Sequence, residues 1–226
     1  MSEGTCWTYV DSVLRSTRNH LESNDLCYYY LIRDSRGWDD GPHAKANQLI
    51  TNFKHDPQKY AANSAPMYYK HQAIETLAGY VKSFFGDQED VLESKDVYLV
   101  PIPTSKPRSS QDYDPRLDSL CRIVERDVPW VKYLPLLDTK QNVGKAHAGT
   151  GSRDPGFLAR NMTCGEIPPS SSERYVVLVD DVLTTGAHYA ACKRVVQGKF
   201  SKVVVLGLFL SVHVNEERHD PLDWAG

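Results

Sequence analysis

The residues best suited to chemistry lie between Arg174 and Cys192, in RYVVLVDDVLTTGAHYAAC. Asp180 and Asp181 are adjacent, and Thr184, Thr185 and Gly186 follow within one turn's length. Two ionised carboxylates accept hydrogen bonds and repel phosphate, so they suit a pair of vicinal hydroxyls. Small hydroxylated residues and a glycine at a helix start suit a phosphate. The first amides of the helix point outward, the dipole favours an anion, and glycine lets the backbone approach closely. In this order the pieces describe a site for a ribose 5-phosphate, with hydroxyls on the acids and the phosphate one turn away. The plainer alternative is a capped helix beside two solvated acids. The correct order of all the elements within about twenty residues favours the site.

Such a site must be carried by a strand and a helix. Tyr175–Val179 is apolar and β-branched without polar alternation, which predicts a strand buried on both faces that ends at the acidic pair. Ala187–Val196 predicts the following helix. Further strands are predicted at Asp25–Arg33 and Trp130–Leu137, and further buried strands at Asp96–Pro103 and Lys202–Val212. Helices are predicted at residues 1–20, at Met67–Phe85 (Ile74, Leu77, Ala78, Val81 and Phe85 inward) and at Asp114–Glu125 (Leu117, Leu120, Cys121 and Val124 inward). Asp34–Pro42 reads as a turn, His43–Phe53 carries mixed helix and strand signals, and Thr51–Pro57 reads as a loop. Asp138–Pro169 is polar and rich in glycine and proline, and a connection of that length is expected to be functional or mobile. Strands alternating with helices predict an α/β fold with a central, mostly parallel sheet flanked by helices. The expected division is an N-terminal hood over 1–70, a core over 71–212 and a polar tail over 213–226.

The whole chain narrows the class. It has 226 residues, 41% of them hydrophobic, and a net charge of −3, which excludes global disorder and a basic field that would recruit nucleic acid. No stretch is long and apolar enough to span a membrane. The N-terminus lacks a basic region followed by an apolar core, and the five scattered cysteines form no C-x-x-C pair. These features point to a reduced protein of the cytoplasm. A second cluster follows the predicted strand at Tyr98–Ile102. Thr104, Ser105, Lys106 and Arg108 gather hydroxyls and two cations, the combination that a concentrated anion such as pyrophosphate requires.

VVLVDDVLTTGAH resembles the phosphoribosyl-pyrophosphate (PRPP) motif of the type I phosphoribosyltransferases. The resemblance implies that Asp180 and Asp181 bind the ribose hydroxyls. It implies that Thr184, Thr185, Gly186, Ala187 and His188 form the 5′-phosphate loop. The chain departs at His188, where the family usually has Thr or Ser. The family also implies a pyrophosphate loop at Thr104, Ser105, Lys106 and Arg108, so that Asp180, Asp181, Lys106 and Arg108 form the catalytic set. It implies a mobile loop, here carrying Lys140, Lys145, His147 and Arg153, that closes over the sugar and excludes water. Mg²⁺ would come bound to the substrate, with no dedicated protein metal site. Ile50, Phe53 and Lys54, then VPIP and a basic loop, are similar to the ComF-type branch over Asn47–Val212. That branch's zinc module is missing, since residues 1–45 hold only Cys6 and Cys27. Its Arg-Gly-Phe-Asn signature is missing too; Ser110–Arg116 reads SQDYDPR. Lys54 is left open between a site residue and a surface lysine.

The leading expectation is an enzyme that transfers phosphoribosyl from PRPP to a nitrogen nucleophile and releases pyrophosphate. Thr184 stands where the 6-oxopurine branch has an Asp, which argues against hypoxanthine or guanine as acceptor. Trp7, Tyr28, Tyr29, Tyr30, Trp38, Tyr60, Tyr68 and Tyr69 could stack on a base or simply pack in the hood. The alternatives are a non-catalytic PRPP- or nucleotide-sensing regulatory or partner-binding module, and an interaction or nucleic-acid module, which the acidic balance disfavours. A homodimer or a protein partner is left open under each reading.

Overall fold

Three apolar runs build the centre of the molecule. In the computed structural model, which describes residues 6–35, 41–140 and 154–214, they are β3 (Asp96–Pro101), β7 (Arg174–Leu183) and β8 (Val203–His213). The sheet has six strands in the order β1-β2-β8-β7-β3-β4, where β1 is Thr8–Tyr9, β2 is Leu26–Arg33 and β4 is Val131–Tyr133. Every pairing is parallel except that of β1 with β2. Both faces are buried. Tyr98, Val100, Val176, Leu178, Val205 and Phe209 face one core, and Val97, Leu99, Val177, Val179, Leu206 and Leu208 the other. This is strand alternation with apolar residues on both sides, as a helix-covered parallel sheet demands.

Helices α2 (Ala44–Phe53), α3 (Ala65–Asp87) and α5 (Arg116–Asp127) cover one face; the short α4 (Glu89–Leu92) follows α3. The inward residues expected of α3 and α5 are buried. The opposite face is covered by α7 (Ala187–Lys199) and α6 (Pro155–Arg160), and by a ribbon of β5 (Leu137–Thr139) with β6 (Met162–Cys164). Tyr189 of α7 lies directly on the sheet, where a Cβ at Gly207 would stand 2.9 Å from its ring. Glycine is what lets helix and strand approach there.

Several expectations are corrected. Residues 8–16 form a two-residue strand and the five-residue helix α1 (Ser12–Ser16), not one long helix, because Asp11 caps the helix through the Leu14 amide only after the chain has paired with β2. α2 is helical to Phe53, so the loop predicted from Thr51 begins later. The single strand expected at 130–137 is divided into β4 and β5 around Pro135, which cannot donate to a ladder. The polar 138–169 connection carries β5's end, α6 and β6 in its described parts. β2, from the segment expected to form a hood, pairs with β8 in the central sheet, and α2 shares the core of α3. The sheet therefore runs across the boundary drawn at residue 70.

Candidate functional site

Topology places the crevice. From β3 the chain runs through α5 to β4 on one side, and from β7 it runs through α7 to β8 on the other. Between β3 and β7 the connections part, and in open α/β sheets ligands bind outside the carboxyl ends of such strands. Pro101 lies opposite Val179 at that end, and the Ile102 amide donates to Val179 O at 2.9 Å. The 103–110 loop and the acidic segment of β7 thus leave the sheet side by side.

β7 does not stop at the acidic pair but continues to Leu183. Neighbours on a strand point to opposite faces. Asp181 falls in the row of Val177 and Val179, and its carboxylate meets Lys54 Nζ at 2.9 Å and Arg116 Nη2 at 2.7 Å, from the ends of α2 and α5. Asp180 falls in the row of Val176 and Leu178, and its Oδ1 accepts from the Asp181 amide at 2.8 Å. Burial, then the charge of Asp181, pushes Asp180 up to about 7. Burial acts on Asp181 too, but Lys54 and Arg116 outweigh it and hold its pKa below the ordinary carboxylate range. Asp181 therefore stays ionised across the neutral range, while Asp180 gives up its proton only near neutrality.

The cations on Asp181 belong to a closed ring. Arg116 also bonds Asp114 Oδ2 at 2.8 Å, and Asp114 accepts from Lys70 Nζ at 2.8 Å. Lys70 is buried and donates to Phe53 O at 3.1 Å and His55 O at 2.7 Å, the carbonyls on either side of Lys54. A cation at these carbonyls satisfies the end of α2.

After Leu183 comes the turn Thr184-Thr185-Gly186. Gly186 takes φ +81 and caps α7 without a side-chain hydrogen bond; the amides of a helix's first turn have no intrahelical partner. Thr185 Oγ1 lies 3.4 Å from the Ala187 amide. Ala187 is buried, whereas Thr184 and His188 are exposed. The surrounding protein lowers the His188 pKa, with Asp181 opposing. The turn is strapped from the N-terminal side. His20 N donates to Thr185 O at 3.2 Å, and a Cβ on Gly186 would stand 2.8 Å from Leu21 Cδ2. The strap is anchored by buried Asp25 and by Glu22, which meet Lys193 of α7 at 2.6 and 2.8 Å.

In the 103–110 loop, Thr104 closes on Lys106, and its carbonyl accepts from Thr139 Oγ1 at 2.6 Å. Ser105 is exposed, and Lys106 pairs with Asp112 at 3.2 Å near the surface. Arg108, expected to face pyrophosphate, is committed elsewhere. Its guanidinium bonds Asp118 Oδ1 at 3.0 Å and Leu137 O, while Tyr113 and Tyr133 donate to the same buried carboxylate. Lys140 donates to Arg160 O at 2.8 Å. Lys145, His147 and Arg153 lie outside the described residues, as does Trp38. Trp7, Tyr28 and Tyr30 pack with Tyr80 and Phe84, which is a structural use of those rings. Tyr29 is half-buried against the core on the α7 side. Tyr60, Tyr68 and Tyr69 are exposed.

The structure thus brings Asp180, Asp181, Thr184, Thr185 and Gly186 to one edge and adds Lys54 from the two readings left open. It also brings Arg116, Lys70 and Asp114, which sequence reasoning missed. The available signal was Asp114 and Arg116 opening a helix directly after the basic loop. Among the described residues no group of three or more His, Cys, Asp or Glu side chains is placed to hold a metal ion. Asp181, with two cations already on it, is a poor ligand for a resident one. Among the described residues, no helix is long and apolar enough to cross a membrane. No family model matches the chain, and none of the curated proteins does.

Proposed function

We propose that this chain has a type I phosphoribosyltransferase-like fold, binds Mg²⁺·PRPP in the crevice between β3 and β7, and transfers the phosphoribosyl group to a nitrogen nucleophile. One observation carries this reading. At the parting of the sheet's connections, an acidic pair on β7 leads through Thr184-Thr185-Gly186 into the N-terminal turn of α7. The ionised Asp181 accepts from one sugar hydroxyl, and Asp180, which titrates near neutrality, serves the second. The Thr184–His188 turn takes the 5′-phosphate. Mg²⁺ arrives on the diphosphate as part of the substrate.

In the reaction the C1–O bond to pyrophosphate breaks and a C1–N bond forms, with the electron pair leaving on pyrophosphate. The protein's contribution is to position the sugar and to stabilise charge. The carboxylates fix the ribose ring. The loop after β3 faces the leaving group with the Lys106 ammonium, and Arg108 would have to leave Asp118 to join it. That commitment of Arg108 favours a second reading, a PRPP or nucleotide sensor that binds the same ligand without turnover.

Pyrophosphate release separates the two. The protein is mixed with Mg²⁺·PRPP and a panel of purine, pyrimidine and amine nucleophiles, and released pyrophosphate is measured. Release that needs both PRPP and an acceptor is the result expected of the enzyme. Ligand binding without release from any member of the panel would leave the sensor.

A further inference from the structure

Two cations sit on Asp181, and they are held differently. Arg116 is 17% exposed and bonded to both Asp114 and Asp181, so moving it would strip two carboxylates at once. Lys54 is 38% exposed, and among the described residues its ion-pair partner is Asp181. Its main chain is fixed. Lys54 is the C-cap of α2, its amide donates back to Ile50 O and Thr51 O at 3.1 Å, and Lys70 grips the carbonyls of Phe53 and His55. A rigid backbone therefore presents a flexible four-carbon stem with a point charge at its tip. The segment that follows is tied to the loop after β3, where Gln58 Nε2 donates to Gln111 O at 2.9 Å.

We propose that Lys54 is the exchangeable cation of this site: it leaves Asp181 when sugar hydroxyls take that carboxylate, and it pairs with the anionic group carried at C1 of the sugar. This rests on the sugar-phosphate reading above. The exchange does not strand Asp181, because Arg116 remains on it and keeps it ionised. It also does not strand Lys54, because a diphosphate offers several strong acceptors to one ammonium. The ring of Lys70, Asp114 and Arg116 is the fixed frame around this movement. Lys54 would then discriminate between sugars. A ligand with an anion at C1 gains the ammonium, while a ligand with only the 5′-phosphate must displace Lys54 from Asp181 and receives nothing in return.

The test is calorimetric titration of the full chain with Mg²⁺·PRPP and, separately, with ribose 5-phosphate, for the wild type, Lys54→Met and Lys54→Arg. Lys54→Gln serves if the methionine variant does not fold. Lys54→Met should weaken PRPP about tenfold and leave ribose 5-phosphate unchanged or tighter, and Lys54→Arg should restore most of the PRPP affinity. Equal losses for both ligands would show that Lys54 only supports Asp181, and unchanged affinity for both would show a surface ion pair. Either result overturns the inference while leaving the sugar-phosphate site standing. A wild-type protein that binds neither ligand removes that site and the inference with it.

Discussion

Asp180→Asn should make the protein more stable and less able to bind its ligand. Burial and the charge on Asp181 push Asp180 up to about 7, whereas an aspartate in an unfolded chain titrates near about 3.9. Between those values the folded chain keeps a proton that the unfolded chain has released. Stability therefore falls as pH rises through that window, and the loss is complete above it. Three pH units correspond to about 4 kcal/mol, and partial exposure at the strand end with sharing of charge across the pair brings this to about 2–4 kcal/mol. Asparagine keeps the shape and still accepts from the Asp181 amide, but it carries no charge. Above pH 7 the variant should gain about 2–4 kcal/mol, which for a chain of this size raises the Tm by ~4–16 °C. At pH 4 the two proteins should melt together. Scanning calorimetry at pH 4, 6 and 8 measures this directly. Equal Tm values at pH 8, or a difference that persists undiminished at pH 4, would refute the reasoning, since neither could come from ionisation of this carboxyl. A residue that costs stability at the pH where it must act is what a binding site retains and a scaffold does not.

Gly186→Ala should cost about 2–4 kcal/mol, from the left-handed backbone and from the new methyl meeting Leu21, and adding Leu21→Ala should recover about 1 kcal/mol in denaturant unfolding; full additivity would mean that the strap does not touch the turn. Arg108→Met should lower stability by about 2–3 kcal/mol, less than a bare buried charge would, because Tyr113 and Tyr133 still serve Asp118; an unchanged unfolding midpoint would mean the guanidinium is not held there. Deleting residues 1–40 removes β1 and β2 from the sheet together with the strap, and circular dichroism should show loss of cooperative unfolding. A folded truncated chain with altered acceptor use and intact PRPP affinity would instead establish those residues as a separable hood.

The strands and helices that carry the candidate site were legible in the sequence because their signals are local. β7 and β8 are continuous apolar runs, α3 and α5 have helical spacing, and all four appear where those patterns predict. The sequence places the end of β7 four residues early, at Val179, because charge usually marks a strand's limit, and here the charge of Asp181 is compensated from other elements. That compensation is long-range. Arg116 lies 65 residues from Asp181, and no local pattern records such a pairing. Arg108 sits in a basic loop that suggests an anion site, but its partner, Asp118, is a buried acid in the first turn of the next helix. β2 carries tyrosines at three successive positions, which gives no alternation to reveal that both its faces are packed against other parts of the fold.

The central claim is that the carboxyl end of β7 binds a phosphorylated ribose, and calorimetric titration of Mg²⁺·PRPP into the wild type and into Asp180→Asn/Asp181→Asn tests it most directly. The account predicts binding in the wild type, competition by ribose 5-phosphate, and a loss of about a hundredfold or more in the double variant, which replaces the charged acceptors with neutral amides and leaves Lys54 and Arg116 without their counter-charge. Unchanged affinity in a folded double variant, or no binding by the wild type, would contradict it.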